Sequence, residues 1–272
     1  MGLRHEFFAE LMGTFTMVAL GAGVSASTQM QKARLEQRAE ASDDVFGANM
    51  YLNTAWGLAV TFGVMLSFDT SGAHLNPAVT LSQMVFETMP IGRGLLFMFA
   101  QLLGAMLGAL VVAINYVAFK GGESLTNFFC TAPYHGVSNG NAFFQEVLAT
   151  MLLLAGINAI GGGTEKATKF HVAGFVGLLV FVLGNSNGAQ TGCAMNPARD
   201  LGPRLVYAAL YVGYGKADMY ATVFNGAYWL VPIFAPMLGG LVGTLLDKLV
   251  YHPEASAGES SEAQLSSQVL LA

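Results

Sequence analysis

Two stretches of this sequence contain the tripeptide Asn-Pro-Ala: SGAHLNPAVT at residues 71–80 and GCAMNPARD at residues 192–200. Proline at the first position of a helix loses no hydrogen bond, and asparagine before it is a preferred N-cap. Both tripeptides therefore predict the start of a helix. The helices expected to follow, at residues 77–86 and 197–211, are apolar. They are too short to cross a membrane, which takes about 20 residues, and are expected to be re-entrant.

Longer apolar runs flank these short helices and predict six membrane-spanning helices. They cover residues 7–26, 51–68, 94–119, 142–160, 170–189 and 226–246. The whole chain is 54% hydrophobic and 11% charged, whereas a soluble domain carries roughly 25% charged residues. Lipid is therefore the expected solvent of the outer surface. The net charge of −5 offers no basic surface for nucleic acid.

The chain is predicted to consist of two related halves. Residues 9–14 (AELMGT) parallel residues 145–150 (QEVLAT), and the two Asn-Pro-Ala tripeptides occupy matching places. With three spans per half, the second half enters the membrane in the opposite sense, which predicts an inverted repeat with its permeation site at the midplane. We expect a channel domain at 1–250, with repeat 1 at about 5–120 and repeat 2 at about 142–250, and a disordered tail at 251–272. Residues 28–49 and 121–141 are expected to form exposed loops on the same side.

The asparagines give the meeting point of the halves its predicted chemistry. If the side-chain oxygen of Asn76 caps its own short helix, its NH₂ group donates outward, and Asn196 does the same from the opposite direction. A water accepting from both amides points its hydrogens away, which interrupts a chain for proton hopping. Each helix N-terminus costs a unit cation about 1.7 kcal/mol, at half a charge, roughly 5 Å and a dielectric of about 20. One tripeptide alone favours a plain helix cap, but two matching copies favour a pore.

The two motif stretches resemble the signature loops of the aquaporin, or major intrinsic protein, family over about residues 5–250. Asp200, followed by Gly-Pro-Arg at 202–204, and the Pro-Ile pair at 232–233 are similar to the aquaglyceroporin branch. The resemblance implies an all-α membrane protein of six transmembrane helices and two re-entrant half-helices, assembled as a homotetramer. It also implies a passive channel, not an enzyme, that needs no cofactor. The channel would pass water and small uncharged solutes, chiefly glycerol, and exclude protons and ions.

The same resemblance assigns a narrow selectivity filter to Trp56, Gly184, Cys193 and Arg199, by their spacing from the two motifs. Arg199 is a fork of donors for solute hydroxyls, and Trp56 is an apolar wall for their carbons. Many glycerol channels have an aromatic residue where this chain has Cys193. We therefore expect a wider filter that also admits urea or neutral metalloid acids. The Cys193 thiol is either a site of mercurial block or a passive small filler.

Further pore and support residues follow from the analogy. The motif residues are Asn76, Pro77, Ala78, Asn196, Pro197 and Ala198, and the expected pore carbonyls belong to Gly72, Ala73, His74, Gly192, Cys193 and Ala194. Non-helical backbone at membrane depth is tolerated where it faces a cavity or is buried in protein. The His74 ring is expected to make structural hydrogen bonds rather than to gate the pore.

Two carboxylates lie within predicted spans, Glu10 and Glu146. Such groups are costly in a membrane and by default functional, so a proton relay is one interpretation. Their matching places in the two halves favour the other, in which each accepts hydrogen bonds from its re-entrant loop. Asp200 lies in the first turn of its short helix, where a carboxylate suits the dipole. It is expected to support neighbouring backbone or Arg204.

The remaining motifs carry less weight. Residues 184–188 (GNSNG) match the G-x-S-x-G pattern of hydrolases, but they end an apolar helix instead of following a strand, so we interpret the match as chance. Glycine pairs at 104/108 and 239/243 predict close helix packing, within or between monomers. The two cysteines are not expected to form a disulfide, and no spacing typical of metal ligands is present in the sequence.

Three other classes of protein remain open at this point. A secondary transporter also uses inverted repeats and broken helices, an intramembrane hydrolase would use the G-x-S-x-G match, and a closed adhesion or scaffold protein could share the fold. We expect an integral protein of the lipid bilayer, in the plasma membrane, with both termini cytoplasmic. Lys and Arg outside the short helices number five on each predicted face, so they do not orient the chain.

Overall fold

A computed structural model of the protein describes residues 2–37, 45–87, 89–116, 129–162, 168–213 and 223–251. Within these ranges all regular elements are helices. They are α1 (Leu3–Gln37), α2 (Val45–Ser71), α3 (Pro77–Phe86), α4 (Ile91–Asn115), α5 (Asn139–Gly162), α6 (Lys169–Asn187), α7 (Pro197–Gly213) and α8 (Val231–Tyr251), with a 3-10 turn at Tyr228–Leu230 before α8.

Six of these helices are long and apolar enough to cross a membrane, as the sequence predicted. The candidate spans are Leu3–Lys32, Gly47–Ser71, Ile91–Asn115, Asn139–Gly161, Lys169–Asn187 and Tyr228–Val250. Helices α3 and α7 contain 10 and 17 residues. At 1.5 Å per residue they are about 15 and 26 Å long, less than the roughly 30 Å of hydrocarbon.

The prediction of a loop at residues 28–49 is wrong over most of that range. Helix α1 continues to Gln37, and α2 begins at Val45. Residues 28–37 contain no Gly or Pro and are rich in Gln, Lys, Arg and Ala, which are good helix formers. Falling hydropathy marks where a helix leaves the apolar phase, and it does not mark where the helix ends.

The other boundaries differ by a few residues. Helix α4 ends at Asn115 and α5 begins at Asn139, inside the loop expected at residues 121–141. Helix α6 ends at Asn187, so the G-x-S-x-G match lies at the end of a helix. The end of the predicted third span, at residue 119, lies outside the described residues. So does the tail expected at 251–272, except for Tyr251, which is the last residue of α8.

Glycines bring the helices of each half into close contact. On α4, a Cβ built on Gly104 would overlap the carbonyl oxygen of Leu11 in α1, and one built on Gly108 would lie 2.8 Å from that of Phe15. In the second half, Cβ atoms on Gly239 and Gly243 of α8 would overlap the carbonyl oxygens of Val147 and Met151 in α5. Both glycine pairs therefore pack helices within one chain.

The two short helices bridge the halves. Helix α3 of the first half packs chiefly against α8, and α7 of the second half packs chiefly against α4. The two short helices also contact each other. Each half therefore supports the broken helix of the other half, and the N-termini of α3 and α7 meet inside the bundle.

Replacing Gly104 by leucine tests the crossing of α1 and α4. Because the side chain would have to displace the Leu11 carbonyl, we expect Gly104→Leu to cost about 1–3 kcal/mol of stability. The measurement is the midpoint of thermal unfolding in detergent. The control is Gly92→Leu on the same helix, where an added Cβ meets no described atom within 4 Å. Equal midpoints for the two variants would contradict the packing described.

Candidate functional site

The two half-helices are joined by a reciprocal pair of hydrogen bonds between their tips. Asn76 Nδ2 donates to the carbonyl oxygen of Met195 at 2.8 Å, and Asn196 Nδ2 donates to that of Leu75 at 2.8 Å. Each asparagine therefore binds the residue that precedes the other asparagine. The expected tip-to-tip meeting of the half-helices is present.

Each asparagine also caps its own helix. Asn76 Oδ1 accepts from the amide of Ala78 at 2.9 Å, and Asn196 Oδ1 accepts from those of Ala198 at 3.0 Å and Arg199 at 3.2 Å. From the sequence, the whole NH₂ group of each asparagine was expected to be free to donate outward. The structure uses one of its two hydrogens to join the halves, and one remains for a solute.

The loops before the half-helices share an unusual backbone conformation. Positive φ angles occur at Gly72 (86°), Ala73 (55°) and Leu75 (52°), and at Gly192 (87°), Cys193 (52°) and Met195 (51°). Non-glycine residues seldom adopt this left-handed region, and each one stores strain. The same pattern in both loops indicates that each is held in place by its surroundings.

Glu10 holds the first loop. Its fully buried carboxylate accepts from the amides of His74 at 2.9 Å and Leu75 at 2.8 Å, and from Ser71 Oγ at 2.6 Å. A fourth bond comes from Gln101 Nε2 in α4 at 2.8 Å. These bonds compensate for burial of the carboxylate and orient the loop amides away from the pore.

Glu146 holds the second loop in the same way. It is fully buried and accepts from the amides of Ala194 and Met195, both at 2.9 Å, and from Thr191 Oγ1 at 2.6 Å. Gln145 Oε1 also lies within hydrogen-bond distance of this hydroxyl, so the two oxygens share its single hydrogen. The equivalent bonds occur in both halves, with Thr191 in the place of Ser71.

One cavity of about 540 Å³ collects most of the residues that the sequence singled out. It is lined by Asn76 and Asn196 at the half-helix tips and by Trp56 and Arg199. It is also lined by Gly72, Ala73, His74, Gly184, Gly192, Cys193 and Ala194. The four other motif residues do not line it, because they form the buried first turns of α3 and α7: Pro77, Ala78, Pro197 and Ala198.

Arg199 and Trp56 contact each other directly. The guanidinium carbon lies 4.2 Å from the centroid of the indole ring, a distance typical of a stacked cation–π pair. The two groups therefore leave no space for a solute between them. The pair presents N–H donors next to an apolar ring edge, whereas the sequence suggested a donor fork at Arg199 and a separate apolar wall at Trp56.

The position of Trp56 depends on Gly21, a residue that the sequence argument missed. A Cβ on Gly21 of α1 would overlap the six-membered ring of Trp56. The indole therefore packs directly against the backbone of α1, with no side chain between them. No local pattern in the sequence reveals this contact, because it joins two separate spans.

Asp200 lies behind the cavity, in a buried ion pair with Arg204. Asp200 Oδ1 accepts from Arg204 Nε at 2.9 Å, while its Oδ2 accepts from the amide of Thr131 at 2.7 Å and from its hydroxyl at 2.6 Å. Arg204 donates in turn to the carbonyl oxygens of Thr131 at 2.7 Å and Val223 at 2.5 Å. This network ties the segment around Thr131 to α7.

His74 makes structural contacts beside the pore. Its Nδ1 lies 3.1 Å from Thr80 Oγ1, and its ring packs edge-on against Phe97 with centroids 5.3 Å apart. Thr80 also accepts from Gln101 Nε2 at 2.9 Å. The ring is therefore fixed between α3 and α4.

Metal chemistry finds no support in the described ranges: within them no three His, Cys, Asp or Glu side chains are placed to hold a metal ion. Both cysteines, Cys130 and Cys193, are buried thiols that form no disulfide with each other. The cavity is lined by amide, carbonyl, guanidinium and indole groups, which are able to form hydrogen bonds with a neutral polar solute. The fold and the site define a membrane channel.

Comparison with known proteins supports the conclusion that the protein is a membrane channel. The family model for the major intrinsic protein family matches residues 1–247. The chain is 34% identical to "Aquaporin-9" of Homo sapiens over 93% of its length and 85% of that protein, and 35% identical to the "Probable glycerol uptake facilitator protein" of Thermotoga maritima over 88% and 97%. The solved aquaglyceroporin of Plasmodium falciparum is similar, with a TM-score of 0.80, 30% identity and coverage of 93% of this chain and 98% of that one.

The chain belongs to the major intrinsic protein family. It is an integral membrane protein with the aquaglyceroporin fold, and it is a channel and not an enzyme. This membership decides against the transporter and hydrolase alternatives, and flux through liposomes tests the closed scaffold of the same fold.

Substitution of Gly21 by alanine tests the packing of Trp56 against α1. The added methyl group must push the indole into the cavity, and we expect glycerol flux to fall about tenfold, the effect of one misfitting methyl group in a specific site. Water flux should fall much less. Flux is measured by stopped-flow light scattering on liposomes. The control is Gly23→Ala on the same helix, where the new methyl group lies 3.9 Å from Val112 Cγ2 and fits. Equal glycerol flux in the two variants would refute the packing of Trp56 on Gly21.

Proposed function

We propose that water and glycerol, the solutes of this channel, cross the membrane through the cavity between the two half-helices. The supporting observation is that this one cavity is lined by both re-entrant loops and both tip asparagines. In this proposal Trp56, Gly184, Cys193 and Arg199 form the selectivity filter. The asparagines form a second constriction deeper in the membrane.

The filter suits a polyol because such a solute has one hydroxylated edge and one CH edge. Arg199 donates hydrogen bonds to the hydroxyl oxygens, and the edge of the Trp56 ring contacts the carbons. The carbonyls of the two loops, from residues 72–74 and 192–194, then accept from the hydroxyls in succession. A partly dehydrated polyol therefore has polar partners along its path.

Protons and ions are excluded by the same parts. The remaining amide hydrogens of Asn76 and Asn196 orient a water so that it donates in neither direction along the half-helix axes. The two helix N-termini and the Arg199 guanidinium repel cations. Most of the ion barrier comes from lost hydration, which the loop carbonyls do not replace fully. Neutral solutes avoid both costs.

Glu10, Glu146 and Asp200 have a supporting role in this proposal. Each carboxylate accepts hydrogen bonds from backbone amides of a loop near the pore, and none of the three lines the cavity. This arrangement favours a fixed loop over a proton relay. A relay would need carboxylates exposed to the solute path.

The proposal extends to the assembly and its membrane. We infer a homotetramer in the plasma membrane with both termini in the cytoplasm, and two repeats at about residues 5–120 and 142–250. Large apolar side chains on the outer faces of the helices favour contact with lipid or with neighbouring subunits; examples are Phe62, Leu66, Phe99 and Phe170. Cross-linking in native membranes would measure the subunit number.

The function is tested on liposomes that contain the purified chain, with water and glycerol fluxes recorded separately. We expect both fluxes to exceed those of protein-free liposomes. The filter is tested by Arg199→Ala, which removes a unit charge that costs a cation about 3 kcal/mol at roughly 5 Å and a dielectric of about 20. Cation leak should rise by about tenfold or more.

The matched control is Lys169→Ala, which removes the same formal charge from the ion pair with Asp69, away from this cavity. Its cation leak should equal that of the wild type. Wild-type liposomes that pass water but not glycerol would refute the proposed function. If cation leak does not rise in Arg199→Ala, the filter assignment is refuted but the proposed function is not.

The small size of Cys193 leads to a separate prediction. We propose that the filter also admits urea and neutral metalloid acids, because neither Gly184 nor Cys193 supplies a second aromatic wall. Cys193→Phe should lower urea flux by about tenfold, since a pocket discriminates by roughly this factor on steric grounds. Water flux should change less. Cys193→Ser, of nearly the same size, is the control, and strict exclusion of urea by the wild type would contradict the prediction.

A further inference from the structure

We propose that Asn53 is a further specificity-determining residue of this filter: its side-chain oxygen, which lies beside Gly184, accepts a hydrogen bond from the solute. The inference rests on the proposed function and deepens it. Asn53 lines the same cavity as Trp56, Gly184 and Arg199. It precedes Trp56 by three residues on α2, so it lies on the same face about 4.5 Å further along the helix axis.

The carboxamide of Asn53 occupies the space in which any residue other than glycine at position 184 would place its Cβ. A Cβ built on Gly184 would lie 2.5 Å from Asn53 Oδ1 and 2.9 Å from its Cγ. Even alanine at position 184 would force the carboxamide to move. The polar group at this level of the filter is therefore supplied by α2, and α6 contributes bare backbone.

The neighbouring hydrogen bonds fix which end of the Asn53 amide lies against Gly184. Asn185 Nδ2 donates to the carbonyl oxygen of Phe181 at 2.9 Å, which leaves Asn185 Oδ1 as the acceptor on the side of Asn53. Asn53 Nδ2 donates to this oxygen at 3.2 Å. Its own Oδ1 consequently points to Gly184, and no residue in the described part of the chain donates to it.

This oxygen supplies what the other filter side chains lack. A guanidinium and an indole N–H are donors without acceptor capacity, and a thiol is a weak acceptor. A hydroxyl group in the filter must accept one hydrogen bond and donate another. With Arg199 as the donor and Asn53 Oδ1 as an acceptor, a solute bearing two adjacent O–H or N–H groups is satisfied at both. The solute class is small neutral molecules with at least two such groups.

The test compares glycerol and water fluxes for Asn53→Leu, which keeps the size of the side chain and removes the acceptor. Loss of one hydrogen bond should lower glycerol flux about fivefold and leave water flux unchanged or higher. Asn53→Gln keeps a neutral carboxamide with both its donor and its acceptor, so its glycerol flux should stay within about twofold of the wild type. A role limited to packing would not separate these two variants.

Two further variants keep the test decisive. Gly184→Ala displaces the carboxamide without changing Asn53, and it should also lower the ratio of glycerol to water flux. Thr54→Ala is the control, because Thr54 is exposed, bonds to the Met50 carbonyl in its own helix and does not line the cavity. A wild-type flux ratio in both Asn53→Leu and Gly184→Ala would overturn the inference, as would equal loss of both fluxes. A wild type impermeable to glycerol would instead overturn the proposed function.

Discussion

The hydrogen bonds between the two half-helix tips are the constraint on which the rest of the structure depends. Asn76 and Asn196 each use one amide hydrogen to reach a carbonyl of the opposite loop, and each uses its side-chain oxygen to cap its own helix. These bonds fix the distance between the tips and the orientation of both half-helices. The cavity is bounded by these tips and by the loops that lead to them.

The loops that lead to the tips are strained, and buried carboxylates stabilise them. Four non-glycine residues with positive φ would each prefer another conformation: Ala73, Leu75, Cys193 and Met195. Glu10 and Glu146 oppose this preference because each gathers two loop amides and a hydroxyl in a site without exposure to water. The hydrogen bonds that compensate for burial of each carboxylate also hold its loop rigid. The loop carbonyls are thereby left free to face a solute.

The sequence predicted the spans and the half-helices well because their signals are local. Hydropathy identifies a span within about 20 residues, and Asn-Pro identifies a helix start within two. The contacts of Gly21 with Trp56 and of Gln101 with Glu10 could not be predicted, because each joins separate helices. One signal was available but unused: Ser71 and Thr191 both lie five residues before the motif asparagine, and both donate to the carboxylate of their half. The stacking of Arg199 on Trp56 depends on three-dimensional distance, which spacing in the sequence does not supply.

The exchange of support between the halves has a consequence for biosynthesis. When the ribosome has delivered the first three spans, the Asn76 amide and the Leu75 carbonyl lack the partners that Met195 and Asn196 later provide. An unpaired polar group in hydrocarbon costs several kcal/mol, so α3 has no stable resting place until the second half is inserted. Helix α8, its main neighbour, is also made last among the described helices. We therefore expect the pore to form only after α8 has been inserted, so that a chain without α8 has no formed pore through which ions could leak.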